Sequence, residues 1–227
     1  MNLKDKLSEF YGSLSVVAQK CGRSEDSLTV LFATKYLNSE QLAAFIDIYW
    51  LLKGEKAVIG ENRVQDAGEK LSYLNEFHPD LKNKFYPVLI GNLQKNKINK
   101  ALNLFEEFHA VDSLELASDI NFRAANRNVP VFLEVNISGE KSKHGISSDT
   151  APEVIERVNI MPNLKLEGLM TMAPEIADKT VIRKVFRKLK KLAAKYELKT
   201  SMGMSHDWQT AVEEGSDILR IGSKLFK

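Results

Sequence analysis

The 227-residue sequence predicts an α/β protein, a single-domain (β/α)8 barrel of the TIM type with an extra N-terminal helix. Three observations lead there. Eight short apolar blocks alternate with longer amphipathic segments, the pattern of a parallel sheet with crossover helices. No low-complexity linker divides the chain, and barrels of this size commonly stay one domain, so residues 1–227 are expected to form one unit. The loop after the first block, "TKYLNS", lacks the glycines that an open dinucleotide-binding sheet carries there.

The elements follow in order. Leu3, Leu7, Phe10, Leu14 and Val17 recur at helical spacing and make the first 22 residues the extra helix. Leu28, Val30, Leu31, Phe32 and Ala33 form an apolar run without interior Gly or Pro, a strand buried on both faces that ends at Lys35. Asn38 or Ser39 then caps a helix reaching Lys53. The further strands are "AVIGE" (57–61), "YPVLIG" (86–91), "FEEFHAVDS" (105–113), "VPVFLEVNIS" (129–138), "LKLEGLMTM" (164–172), "LKTSMGMS" (198–205) and "DILRIGS" (217–223). Helices are expected over 62–76, 94–104, 113–127, 149–160, 177–196 and 207–214.

Composition narrows the function. An apolar fraction of 44%, a charged fraction of 27% and a net charge of +2 describe an ordinary soluble protein, with no bulk charge that would draw nucleic acid or an anionic membrane. The basic run "IRKVFRKLKKLAAKYELK" carries a stripe of Val181, Val185, Leu189 and Leu192, so it reads as an outer barrel helix with a solvated face. The one cysteine, Cys21, allows no internal disulfide and fits a reducing compartment. A charged, amphipathic N-terminus without a signal peptide's apolar core makes the cytoplasm the expected location. The four histidines are scattered, which gives no metal site and leaves each as a surface or junction residue. Asn136-Ile137-Ser138 matches a glycosylation acceptor only by chance in such a chain.

In barrels of this kind the chemistry sits at the carboxyl ends of the strands, and phosphate is commonly held after the last two. Those two loops are "SMGMS", with Ser201, Gly203, Met204 and Ser205, and "RIGS", with Gly222 and Ser223. Glycine lets backbone N–H groups approach an anion closely, and a hydroxyl adds a donor. Ser223 is expected to cap the closing segment "KLFK", and Asp207 to be a first-turn or capping residue of the helix after Ser205. Lys35 ends the strand that neighbours the eighth in a closed barrel. An amine with a buried stem beside a phosphate site suits a Schiff base with a phosphorylated aldehyde, and pyridoxal 5'-phosphate (PLP) is such a ligand. Arg220 would face the pyridine nitrogen, where a fixed cation keeps the ring a weak electron sink.

The sequence resembles the pyridoxal phosphate homeostasis proteins, a family related to the barrel domain of alanine racemase. The marks are "ATK", "GENRVQDAGEK", "IGNLQKNK", "VNISGEKSKHG", "GLMTM", "SMGMSHDWQTAVEEGS" and "RIGS", in order from about residue 30 to 223. The resemblance implies PLP held as a Schiff base on Lys35, with Ser205, Gly222 and Ser223 at the phosphate, Arg220 at the pyridine nitrogen, and Asn62 and Met204 lining the pocket. Asn92, Arg63 and Lys95 depart from the family pattern and put the pocket rim in question. The loop "SGEKSKHG", with Lys141 and Lys143, reads either as a cover beside the site or as a solvated turn.

Two readings compete. One is intracellular PLP homeostasis, by storage, buffering or transfer, with apo PLP-dependent enzymes as candidate recipients, no catalytic residue and a monomeric state. The other is a racemase-like enzyme, which needs a second proton donor opposite the lysine. No tyrosine falls in the strand-end set, Met172 stands where racemases carry a histidine, and the second domain that supplies their tyrosine is not expected. A barrel binding some other phosphorylated metabolite, with Lys35 as a plain anion partner, stays open on the residues alone.

Overall fold

In the computed structural model, which describes residues 2–140, 144–174 and 178–227, eight parallel strands close into a ring. They are β1 (Thr29–Ala33), β2 (Ala57–Glu61), β3 (Phe85–Leu89), β4 (Glu107–Val111), β5 (Val129–Asn136), β7 (Leu164–Met170), β8 (Lys199–Met204) and β9 (Ile218–Ile221). Pairing of β4 with β5 and of β1 with β9 leaves the ring without an edge. A two-residue strand, β6 (Ile146–Ser147), adds to the carboxyl end of β5. The sequence does not announce β6, because two residues are too few to show a period.

Helices occupy the intervals the periodicity indicates. α1 (Leu3–Lys20) precedes the barrel and buries Leu7, Phe10, Leu14 and Ala18. Then come α2 (Ser39–Lys53), α3 (Val64–Phe77), α4 (Ile98–Leu104), α5 (Leu114–Ala124), α6 (Ala151–Asn159), α7 (Lys179–Ala194), α8 (Trp208–Glu213) and α9 (Ser223–Phe226). α2 begins at a capping box: Gln41 N donates to Asn38 Oδ1 at 2.8 Å, and Asn38 N donates to Gln41 Oε1 at 3.0 Å. Gly54 closes it in the left-handed conformation, φ 69°. α7 buries Val185 and Leu189 as expected, together with Phe186 and Ala193, whereas Val181 is exposed and Leu192 only half-buried. Its basic face is engaged: Arg183 and Arg187 pair with Glu213 and Glu214, and Lys190 pairs with Asp217. Among the described residues no helix is long and apolar enough to cross a membrane.

The core has two compartments. Leu31, Val88, Ala110, Phe132, Met170 and Ile218 fill the barrel interior, and the larger apolar cluster lies between sheet and helices. Gly168 on β7 is where the interior is tightest: a Cβ there would lie 2.3 Å from Phe132 Cε1 and 2.5 Å from the Lys199 carbonyl oxygen. Backbone cannot yield as a side chain can, so Gly168→Ala is expected to cost about 1–3 kcal/mol. A urea unfolding midpoint unchanged from the parent would refute that.

α1 also reaches the far end of the chain. Lys6 Nζ donates to the carbonyl oxygens of Leu225 and Lys227, both at 3.2 Å, and Phe226 packs edge-on against Phe45 with ring centroids 5.2 Å apart. The extra helix thus holds α9 against the barrel, directly behind the loop that follows β9.

Candidate functional site

The loops after β8 and β9 meet at one hydroxyl. Ser205 Oγ accepts from Gly222 N at 3.3 Å and from Lys224 N at 3.1 Å. Two backbone N–H groups therefore converge on one oxygen, an arrangement of the kind that can receive an anion. Gly222 packs against the end of β1: a Cβ on it would lie 3.0 Å from Ala33 Cβ, from the Ala33 carbonyl oxygen and from Tyr36 Cε2. A side chain at 222 would push the anion-receiving loop off β1. Gly203, at φ 94°, permits the turn of β8 and lies so near α8 that a Cβ would be 2.4 Å from Ala211 Cβ.

β1 pairs with β9 as expected, so Lys35 follows the strand next to the one bearing Arg220. The lysine does not end the strand, however. It sits in the middle of a 3-10 turn, Thr34–Tyr36, which lifts it clear of the sheet. Its side chain is exposed, so the expectation of a buried stem is wrong. The amine lies 5.3 Å from the centroid of the Tyr36 ring, against which Gly222 also packs. Thr34, immediately before it, is fully buried. Its hydroxyl donates to Glu61 Oε1 at 2.7 Å and to the Gly60 carbonyl at 3.3 Å. Lys70 Nζ of α3 donates to the Thr34 carbonyl at 3.0 Å and to Glu61 Oε1 at 2.8 Å. An exposed amine thus stands on a buried, fully connected ionic foundation.

Arg220 is buried on β9, in register with Leu31 of β1 and Met204 of β8. Its Nη1 donates to the Ser201 carbonyl at 2.7 Å and to Ser201 Oγ at 2.8 Å, and its Nη2 donates to the Thr171 carbonyl at 2.9 Å. Burial presses the guanidinium down to about 10, opposed by the charges of Asp207 and Glu134; it remains a cation at neutral pH. Those two carboxyls are themselves pushed up by burial, with Arg220 among the groups opposing. A buried cation, beside a loop pair that offers backbone N–H groups, fits a ligand with an anionic tail and an acceptor nitrogen.

The remaining expected residues are placed as follows. Met204 ends β8 half-buried, its backbone N–H donating to Asp207 Oδ1 at 2.5 Å. Asp207 stands at the N-cap position of α8, as expected, but its carboxylate turns back to the loop and makes no side-chain cap bond. Asn62 follows β2, half-buried, and is pressed by the β3 loop: a Cβ on Gly91 would lie 2.2 Å from the Asn62 carbonyl oxygen. Ser223 is the first residue of α9, and Gly222 is its N-cap with no side-chain bond, so the expected serine cap is not formed. Lys95 turns outward to Glu115 and Asp119, Asn92 donates to Asp112 at 3.2 Å, and Arg63 is exposed at the start of α3. Lys141 and Lys143 lie outside the described residues.

Sequence reasoning missed three buried polar groups. His109 is 1% exposed on β4, not the junction histidine expected. Glu134 stands two residues beyond Phe132 on β5, on its inward-facing register, and is 7% exposed. Thr171, after β7, donates to the Val135 carbonyl at 2.7 Å. The legible signal was a charge or imidazole within an apolar block at the inward alternation: "FHAV" and "FLEVN" each carry one. Among the described residues, no group of three or more His, Cys, Asp or Glu side chains is placed to hold a metal ion.

Comparison with known proteins agrees with this geometry. Residues 71–227 match the family model "Alanine racemase, N-terminal domain". The pyridoxal phosphate homeostasis protein of Aquifex aeolicus (strain VF5) is 34% identical, covering 100% of this chain and 98% of its own. A crystal structure of an unknown protein from Bifidobacterium adolescentis superposes with a TM-score of 0.87 at 31% identity, covering 98% and 94%. PipY of Synechococcus elongatus PCC7942, solved with PLP bound, superposes with a TM-score of 0.81 at 26% identity over 100% of both chains. The chain belongs to the alanine racemase N-terminal domain family and, within it, to the pyridoxal phosphate homeostasis proteins.

Proposed function

We propose that this protein binds pyridoxal 5'-phosphate as a Schiff base on Lys35 and serves intracellular PLP homeostasis by storing, buffering or transferring the cofactor. The observation that carries this reading is the convergence of the Gly222 and Lys224 N–H groups on Ser205 Oγ, packed against the strand that leads into Lys35. Ser205, Gly222 and Ser223 receive the phosphate; Arg220 donates to the pyridine nitrogen; Asn62 and Met204 line the ring. Lys35 would hold the cofactor at its aldehyde carbon through a C=N double bond, the two amine hydrogens and the aldehyde oxygen leaving as water. In bound form the cofactor supplies an electrophilic ring, and the Arg220 cation keeps that ring from drawing electrons strongly. Exposure of Lys35 suits a carrier: the linkage stays open to water and to a competing amine.

Curated relatives named for PLP homeostasis and a PLP-bound solved neighbour support the ligand. The test is titration of the apo-protein with PLP under an absorbance scan, followed by incubation with single L-amino acids and chiral analysis. A yellow complex at one PLP per chain without inversion is expected. Inversion at enzymatic rates would favour the racemase-like alternative, and a protein that takes up no PLP would overturn the proposal.

A further inference from the structure

The barrel interior is not wholly apolar. A hydrogen-bonded chain crosses it from Arg220 to the opposite mouth. Ser201 Oγ accepts from Arg220 Nη1 at 2.8 Å and lies 3.1 Å from His109 Nδ1. His109 Nε2 meets Glu107 Oε1, and the hydroxyl of Tyr86 donates to Glu107 Oε2 at 3.4 Å. Phe132 covers the imidazole face with ring centroids 4.1 Å apart. The lower end opens into a cavity of about 340 Å³ at the amino ends of the strands, lined by Thr29, Leu31, Tyr86, Glu107 and Asp217 among others.

Proton counting fixes the direction of this chain. The Glu107 carboxylate can only accept, so the proton of a neutral His109 ring is on Nε2, donated to Glu107. Nδ1 is then an acceptor, and the Ser201 hydroxyl donates its proton there while its oxygen accepts from Arg220. Burial holds the imidazole neutral, and the Arg220 charge works in the same direction against the pull of Glu107. The ring is locked in one tautomer from both sides, which is how a neighbouring group is held in orientation.

We propose that His109 is a positioning residue of the cofactor site: clamped by Glu107, it holds the Ser201 hydroxyl as an acceptor toward Arg220 and thereby fixes the guanidinium that faces the ligand's ring nitrogen. This rests on the reading of Arg220 given above. His109 does not touch the ligand; it acts through Ser201.

The test uses the full chain loaded with PLP, reading the absorbance maximum and the PLP dissociation constant, with circular dichroism to confirm folding. His109→Phe and Ser201→Ala are each expected to shift the band and loosen PLP about tenfold, the loss of one charge-assisted contact. The double variant should go no further, because both lie on one path. His109→Asn, whose amide oxygen falls near the place of Nδ1, should restore most of the parent spectrum. Should the Phe variant fail to fold, His109→Gln replaces it, since its longer amide reaches Glu107 but not Ser201. Arg220→Met separates the two levels. If it alters the spectrum while folded His109 variants match the parent, the positioning role is overturned and the site reading stands. If neither Arg220→Met nor the His109 variants change it, both fall. Additive effects of His109→Phe and Ser201→Ala would also overturn the relay.

Discussion

Replacing Lys35 with alanine is expected to leave a folded barrel that can no longer be labelled covalently by PLP and borohydride. The side chain is exposed and, among the described residues, its contact is with the Tyr36 ring, so its removal is expected to change stability within about 0.5 kcal/mol. The buried groups beneath it, Thr34, Glu61 and Lys70, are untouched and keep the turn in place. The loops proposed to receive the phosphate do not depend on Lys35 either, since the Gly222 and Lys224 N–H groups both donate to Ser205. PLP should therefore still bind weakly, as an aldehyde held by its phosphate, and dialyse away. A variant with parental melting temperature and no borohydride-stable adduct is the expected pair of results. An adduct retained at parental stoichiometry would move the covalent site to another lysine.

The second large effect lies under the turn. Glu61→Ala removes the partner of Lys70, whose side chain retains only 10% exposure in a salt bridge of 2.8 Å. Breaking a buried pair from one side leaves an uncompensated charge, at a cost of about 3–5 kcal/mol. The same change takes away the acceptor of the Thr34 hydroxyl, so the turn that presents Lys35 loosens as well. Glu61→Leu combined with Lys70→Met removes both charges together and is expected to recover most of the stability, because a buried ion pair is commonly replaceable by apolar residues of similar volume. Urea denaturation of the single and double variants checks this. A single variant destabilised by less than about 1 kcal/mol would show that Lys70 finds water when Glu61 is gone.

The architecture was readable because each device leaves a mark in the residue string. Buried parallel strands leave apolar blocks, amphipathic crossovers leave a 3.6-residue stripe, and Asn38 with Gln41 leaves a capping box. Adjacency of the first and last strands followed from closure alone. The details of the site were less legible. A 3-10 turn of three residues has no period, so Lys35 read as the end of a buried strand when it is an exposed residue on a turn. The salt bridge beneath it joins Glu61 to Lys70, nine positions apart, across the turn from β2 into α3, and nothing in the residue string marks the two as partners. His109 and Glu134 were hidden because their neighbours are apolar on both sides, and only the ring of strands shows that their register points inward. Ser223 offered the right residue type for a cap, yet Gly222 took that place and freed its N–H for Ser205.

One arrangement connects these parts: an exposed amine on a short turn, beside the loop pair proposed to receive the phosphate. Borohydride reduction of the PLP-loaded protein, followed by proteolysis and mass mapping, measures it most directly. A single phosphopyridoxyl mass on the peptide containing Lys35, absent when inorganic phosphate competes during loading, is the expected result. A label on a different lysine, or one spread evenly over many of them, would contradict it.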